Sequence, residues 1–162
     1  MSSSPDTGTD PVVDALNTED EAAIQDAGSC HVGIDLVGMT MTNKDEEIKA
    51  INDVRNQFNT AVDARRAVLA KTITLLETNR TKLVTIVGGR DPADPIIKKG
   101  QDAIAVIDAS LPAFKAEDAD LAKLRSQVNN RLDWIIIDIK GSVFTYNYMP
   151  MFTYYTSEGY TA

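Results

Sequence analysis

Residues 43–89 read NKDEEIKAINDVRNQFNTAVDARRAVLAKTITLLETNRTKLVTIVGG. Asn43 followed by Glu46 forms a capping box, and Asp45, Glu46 and Glu47 put negative charge at the positive end of a helix. Neither proline nor glycine occurs until Gly88-Gly89, a natural C-terminal stop. The apolar residues Ile48, Ile51, Val54, Phe58, Val62, Leu69, Ile73, Leu76, Leu83 and Val87 are separated only by steps of three, four or seven. This spacing predicts an amphipathic helix over about 44–87, roughly 66 Å long at 1.5 Å per residue.

A second stripe follows a short loop. Asp94-Pro95 pairs an N-cap residue with proline at the first helical position. Ile97, Ile104, Ile107, Leu111, Phe114, Leu121, Leu124, Val128, Leu132, Ile135 and Ile139 again step by three, four or seven. A helix over about 95–140 is expected, with a break near Pro112, where the ring removes a backbone N–H. Glu117, Asp118 and Asp120 then read as the solvated acidic start of a fresh helical piece. A short loop between helices of matched length makes them antiparallel neighbours. The fold class is mainly α, a long helical hairpin whose flanking segments emerge together at its open end.

Those flanking segments carry the β signal. Val32, Ile34 and Leu36 alternate within 31–42, although Gly33 and Gly38 weaken a strand there. Residues 141–162 hold one charge, Glu158, and all five tyrosines. Alternation of Phe144, Tyr146 and Tyr148, and of Phe152 and Tyr154, favours strand over about 143–156, interrupted at Pro150. A small β element formed by 31–42 and 143–156 is expected at the open end.

Two arginines lie where the first stripe calls for an apolar residue: Arg65, three after Val62, and Arg80, four after Leu76. With the turn centred near Asp91, residue i faces roughly 182 − i in an antiparallel pair. Arg65 then faces Glu117 and Arg80 faces Asp102. Phe58 faces Leu124, and Ile48 faces Trp134. Two buried ion pairs would act as register pins, because a slip would leave charges unpaired; the alternative is that both arginines reach solvent from the seam edge.

The net charge of −8 is concentrated at one end. Residues 1–29 hold seven acids and no Lys or Arg, whereas residues 30–162 hold 17 acids and 16 bases. The chain thus divides into an acidic arm, 1–29, and a hairpin domain, 30–162. Asp10-Pro11 and the capping box Thr18-Glu-Asp-Glu21 predict two short helices in the arm, about 11–16 and 19–27, with Gly28 as a stop. Their apolar residues are too few for a core of their own, so the arm is expected to gain order by docking.

Composition removes several function classes. One cysteine, Cys30, and one histidine, His31, leave no disulfide framework within the chain and no multi-histidine zinc site. No basic stripe serves nucleic acid, so no nucleic-acid partner is expected. No apolar run approaches a membrane span, and the first residues lack the basic and apolar regions of a signal peptide. A soluble protein of a reducing compartment or of an assembled particle is expected. The glycines of Val87-Gly-Gly-Arg-Asp91 end a helix and precede no Lys-Ser/Thr, unlike a phosphate loop. No cofactor, no metal and no catalytic residue is expected, and hence no enzyme.

The remaining signal concerns assembly. Alanine-rich flanks on both helices permit close packing, and helices draw their stability mainly from such packing. Tyrosine in place of leucine or valine suits a half-wet surface. Phe144, Tyr146, Tyr148, Phe152, Tyr154 and Tyr155 are therefore the candidate interaction residues, the alternative being a core that closes the end of the hairpin against residues 32–41. The leading expectation is a self-assembling structural subunit of a virion, filament or secretion-like apparatus, with a homo-oligomer as its working form. A membrane-acting pore-forming-type protein and a soluble adaptor or chaperone with a protein partner are the alternatives.

Overall fold

Both long helices are anchored at their first turn by a side chain. Asn43 Oδ1 accepts from the Glu46 amide at 2.9 Å, and Asp94 Oδ1 accepts from the Ile96 amide at 3.0 Å. Each bond satisfies a donor that a helix start otherwise leaves without a partner. The computed structural model describes residues 10–35, 43–141, 151–155 and 159–161. In chain order these form α1 (Asp10–Ala27), β1 (His31–Asp35), α2 (Lys44–Gly88), α3 (Ile96–Gly141), β2 (Met151–Tyr155) and β3 (Gly159–Thr161). The protein is mainly α, and α2 packs against α3 as an antiparallel hairpin.

The chain groups into two units, each taking part of both long helices. One unit holds α1 with Val68–Ala116. Its buried apolar side chains are Val13 and Ala27 of α1, Leu69, Leu76 and Leu83 of α2, and Ile96, Ala103, Ile107, Leu111 and Phe114 of α3. The other unit holds the described residues of Ser29–Ala67 and Glu117–Ala162. It buries Val32, Ile51, Phe58, Val62, Leu121, Leu124, Val128, Leu132 and Ile139. Each fully enclosed leucine or isoleucine contributes about 1.5–3 kcal/mol relative to an exposed one.

The arm forms one helix, not two. Between Pro11 and Gly28 there is no residue that stops a helix, and a capping box favours a start without forcing one. Gly28 does end it, with φ +51 and its amide bonded to the Ile24 carbonyl at 3.1 Å. Along this helix Val13, Asp20 and Ala27, at seven-residue spacing, are all buried.

The expected break near Pro112 is also absent. α3 runs unbroken from Ile96 to Gly141 with Pro112 inside it. The ring lies on the exposed face, while Leu111 and Phe114 beside it stay buried in phase. Packing therefore outweighs the one backbone hydrogen bond that proline removes. Accordingly, Glu117, Asp118 and Asp120 sit within a helix and not at a start.

β1 and β2 pair antiparallel, with His31 opposite Tyr155, Val32 opposite Tyr154 and Asp35 opposite Met151. The third strand, β3, was not anticipated; it pairs antiparallel with β2, giving the order β1-β2-β3. Residues 36–42, 143–150 and 156 of the expected β element lie outside the described residues.

Candidate functional site

One heptad position of α2 holds Phe58, Arg65, Thr72 and Asn79, and all four are buried. Three of these four are polar, so each needs a partner. Thr72 Oγ1 donates to the Val68 carbonyl at 2.9 Å, within its own helix. The other two reach outward.

Arg65 meets Glu117. Its Nε lies 2.6 Å from Oε2 and a terminal nitrogen 3.0 Å from Oε1, a two-point pair with side chains 5% and 8% exposed. The Glu117 carboxylate raises the Arg65 guanidinium above its ordinary value, against the opposing effect of burial. Arg66 makes a matching pair with Asp118 at 2.9 Å at a half-exposed position. Further along the same unit, Asn59 and Asn129 exchange amide hydrogen bonds at 2.8 and 3.3 Å, and Arg55 donates to Asn129 Oδ1 at 3.2 Å. The amide of Asn129 also donates to the Arg125 carbonyl at 2.7 Å, so each of its polar atoms is used.

In the unit with α1, Arg80 does not pair with Asp102. It holds Asp108, Nε to Oδ1 at 2.7 Å, and Asp102 instead accepts from Lys98 at 3.3 Å. The reason lies at the turn. Gly100 sits against Val87, where a Cβ would meet the valine Cγ2. The last turn of α2 is therefore level with the second turn of α3, and the turn is not symmetric about Asp91. Asp108 comes level with Arg80, while Asp102 is displaced by about 9 Å along the axis at 1.5 Å per residue. The guanidinium holds the Asp108 carboxyl below its ordinary value.

Asn79 receives α1. Its single amide nitrogen donates both to Glu19 at 2.9 Å and to Asp20 at 2.7 Å. Asp20 is fully enclosed, and its second carboxyl oxygen has no hydrogen-bond partner. Burial, then the neighbouring Glu19 and Glu21, push this carboxyl above its ordinary value, and Asn79 pulls the other way. Lys99 of α3 adds a surface bridge to Asp14 at 3.5 Å. Sequence reasoning did not single out Asp20 or Asn79. The spacing signal was present: Asn79 continues the α2 stripe between Leu76 and Leu83, and Asp20 lies seven residues from both Val13 and Ala27. Glu47 of the acidic first turn is also enclosed, four residues before Ile51.

Among the described residues, a groove and an exposed apolar pair are open to solvent. A groove of about 450 Å³ runs beside α1, floored by Ala23, Ala27, Val68 and Leu75 and edged by Glu19 and Lys71. On α3, Trp134 and Ile137 are 63% and 55% exposed, one turn apart. Trp134 thus does not face Ile48. It lies two residues past buried Leu132, about 200° around the helix. Of the candidate interaction residues, Phe152, Tyr154 and Tyr155 are in β2, where their backbones pair with Ile34, Val32 and His31. Phe144, Tyr146 and Tyr148 lie outside the described residues.

Among the described residues, no group of three or more His, Cys, Asp or Glu is placed to hold a metal ion. Among the same residues, no helix is long and apolar enough to cross a membrane. Comparison with known protein families, curated proteins and solved structures gives no match.

Proposed function

We propose that the protein is a non-enzymatic, self-assembling structural subunit, of the kind that builds particles, filaments or secretion-like assemblies. The observation that carries this reading is the exposed pair Trp134 and Ile137 on α3. A tryptophan left mostly in water on a rigid helix is what a contact surface between subunits requires, because aromatic anchors dominate interface energies. In addition, β1 and β3 are the outer strands of the described sheet, and outer strands offer backbone groups to a further chain. The tyrosines of the C-terminal segment suit the same half-wet contact.

Light scattering on the purified chain tests the proposal. The expected result is a mass several times that of one chain, reduced to one chain by Trp134→Glu together with Ile137→Glu. A single-chain mass up to millimolar concentration would end the assembly reading. The alanine-floored groove beside α1 favours a second reading, an adaptor that seats a partner there. A monomer that recovers one stoichiometric foreign partner, lost on Ala23→Arg, would support the adaptor.

A further inference from the structure

We propose that α1 is a proton-coupled strap, gripping the α2 and α3 segments of its unit more tightly as the pH falls. The argument rests on the geometry around Asp20. Docking places the carboxyl where none of it is exposed, supplies one oxygen with the Asn79 amide at 2.7 Å and leaves the other without a partner. The same amide nitrogen serves Glu19 at 2.9 Å, so two carboxylates of α1 crowd one neutral donor. Like charges at that separation disfavour double ionisation, and enclosure disfavours the charged form further.

The charges around Asp20 do not offset this. On α1 its neighbours are Glu19 and Glu21, both negative. From α2 the facing group is Asn79, which is neutral. Lys71 borders the groove with Glu19, while Arg80 and Lys115 are engaged by Asp108 and Glu77. From α3, Lys99 reaches Asp14, and Asp102 is held by Lys98. Among the described residues no cation bonds to Asp20. With α1 undocked, Asp20 is in water and titrates near the ordinary 3.8.

The docked state therefore holds a proton that the undocked state has lost, over the window between 3.8 and the higher docked value. By linkage, docking tightens as pH falls through the docked value and stops tightening below 3.8. One proton sets the steepest slope at about tenfold in the docking equilibrium per pH unit.

Hydrogen exchange of the full chain between pH 4 and 7.5, corrected for intrinsic rates, reads the strap directly. Protection of α1 amides should climb toward low pH by up to about tenfold per unit, and Asp20→Asn should remove the slope while α1 stays protected at pH 7.5. Flat or falling protection in the native chain, or an unchanged slope in Asp20→Asn, would overturn the proposal. A carboxyl carbon-13 titration of the native chain gives an independent check that needs no variant. A midpoint for Asp20 above 3.8 supports the strap, and one at or below it defeats it.

Discussion

Arg65 and Glu117 close on each other in a two-point pair at 2.6 and 3.0 Å, with both side chains more than nine-tenths enclosed. Removing one partner strands the other charge in a dry seam, which costs about 3–5 kcal/mol. Glu117→Gln and Arg65→Met should each lower the unfolding free energy measured in urea by that much. Replacing both with leucine should recover most of the loss, because a well-packed apolar pair of similar volume is about as stable as a buried ion pair. A single variant that unfolds like the native chain would show that water reaches the seam.

Arg80 and Asp108 form the contrasting case. Their side chains are 43% and 48% exposed, so solvent screens the pair. Arg80 holds the Asp108 carboxyl below the ordinary 3.8. A depressed acid contributes stability above its unfolded value and loses it as pH falls through the folded value. Arg80→Gln should therefore remove a small stabilisation at neutral pH, flatten the fall in stability as pH drops below about 4, and leave the fully acid end unchanged. A double-mutant cycle should give a small coupling with Asp108 that vanishes in 1 M salt. Coupling of Arg80 with Asp102 instead would contradict the observed register.

Gly100 fixes the level of the two helices at the turn. A side chain there meets Val87 Cγ2, and a β-branched neighbour yields little. Gly100→Ala should destabilise by about 1–3 kcal/mol through overpacking, although alanine is otherwise the better helix former. Gly88→Ala serves as the control, since a Cβ at that position meets nothing within 4 Å. Thermal melts of the two variants should fall on opposite sides of the native chain.

Pro112 removes one backbone bond from α3 without ending it. Pro112→Ala restores the N–H that can reach the Asp108 carbonyl. The gain should be about 1–3 kcal/mol, below the full helix-interior penalty of proline because the unfolded chain becomes freer. Guanidinium unfolding would register it as a higher midpoint at unchanged slope. No gain would mean that α3 has already relaxed around the ring.

The elements themselves were legible in the residues. Caps at Asn43 and Asp94, stops at Gly28 and Gly88, and apolar steps of three, four and seven are local properties, set by helix geometry and by the donors a helix start exposes. The mainly α class and the antiparallel pairing followed from two matched stripes and a short loop. What needed the tertiary structure was every question decided by what a face packs against. Capping signals could not tell that Thr18 lies inside one continuous helix, because docking at Val13, Asp20 and Ala27 overrides a local start. Counting back from Asp91 could not place Arg80 on Asp108, because the register depends on how closely Gly100 approaches Val87. A stripe reports which residues turn inward together. It does not report that Asn79, Asp20 and Glu47 turn inward with them, since a polar residue is buried only where a neighbouring helix covers it.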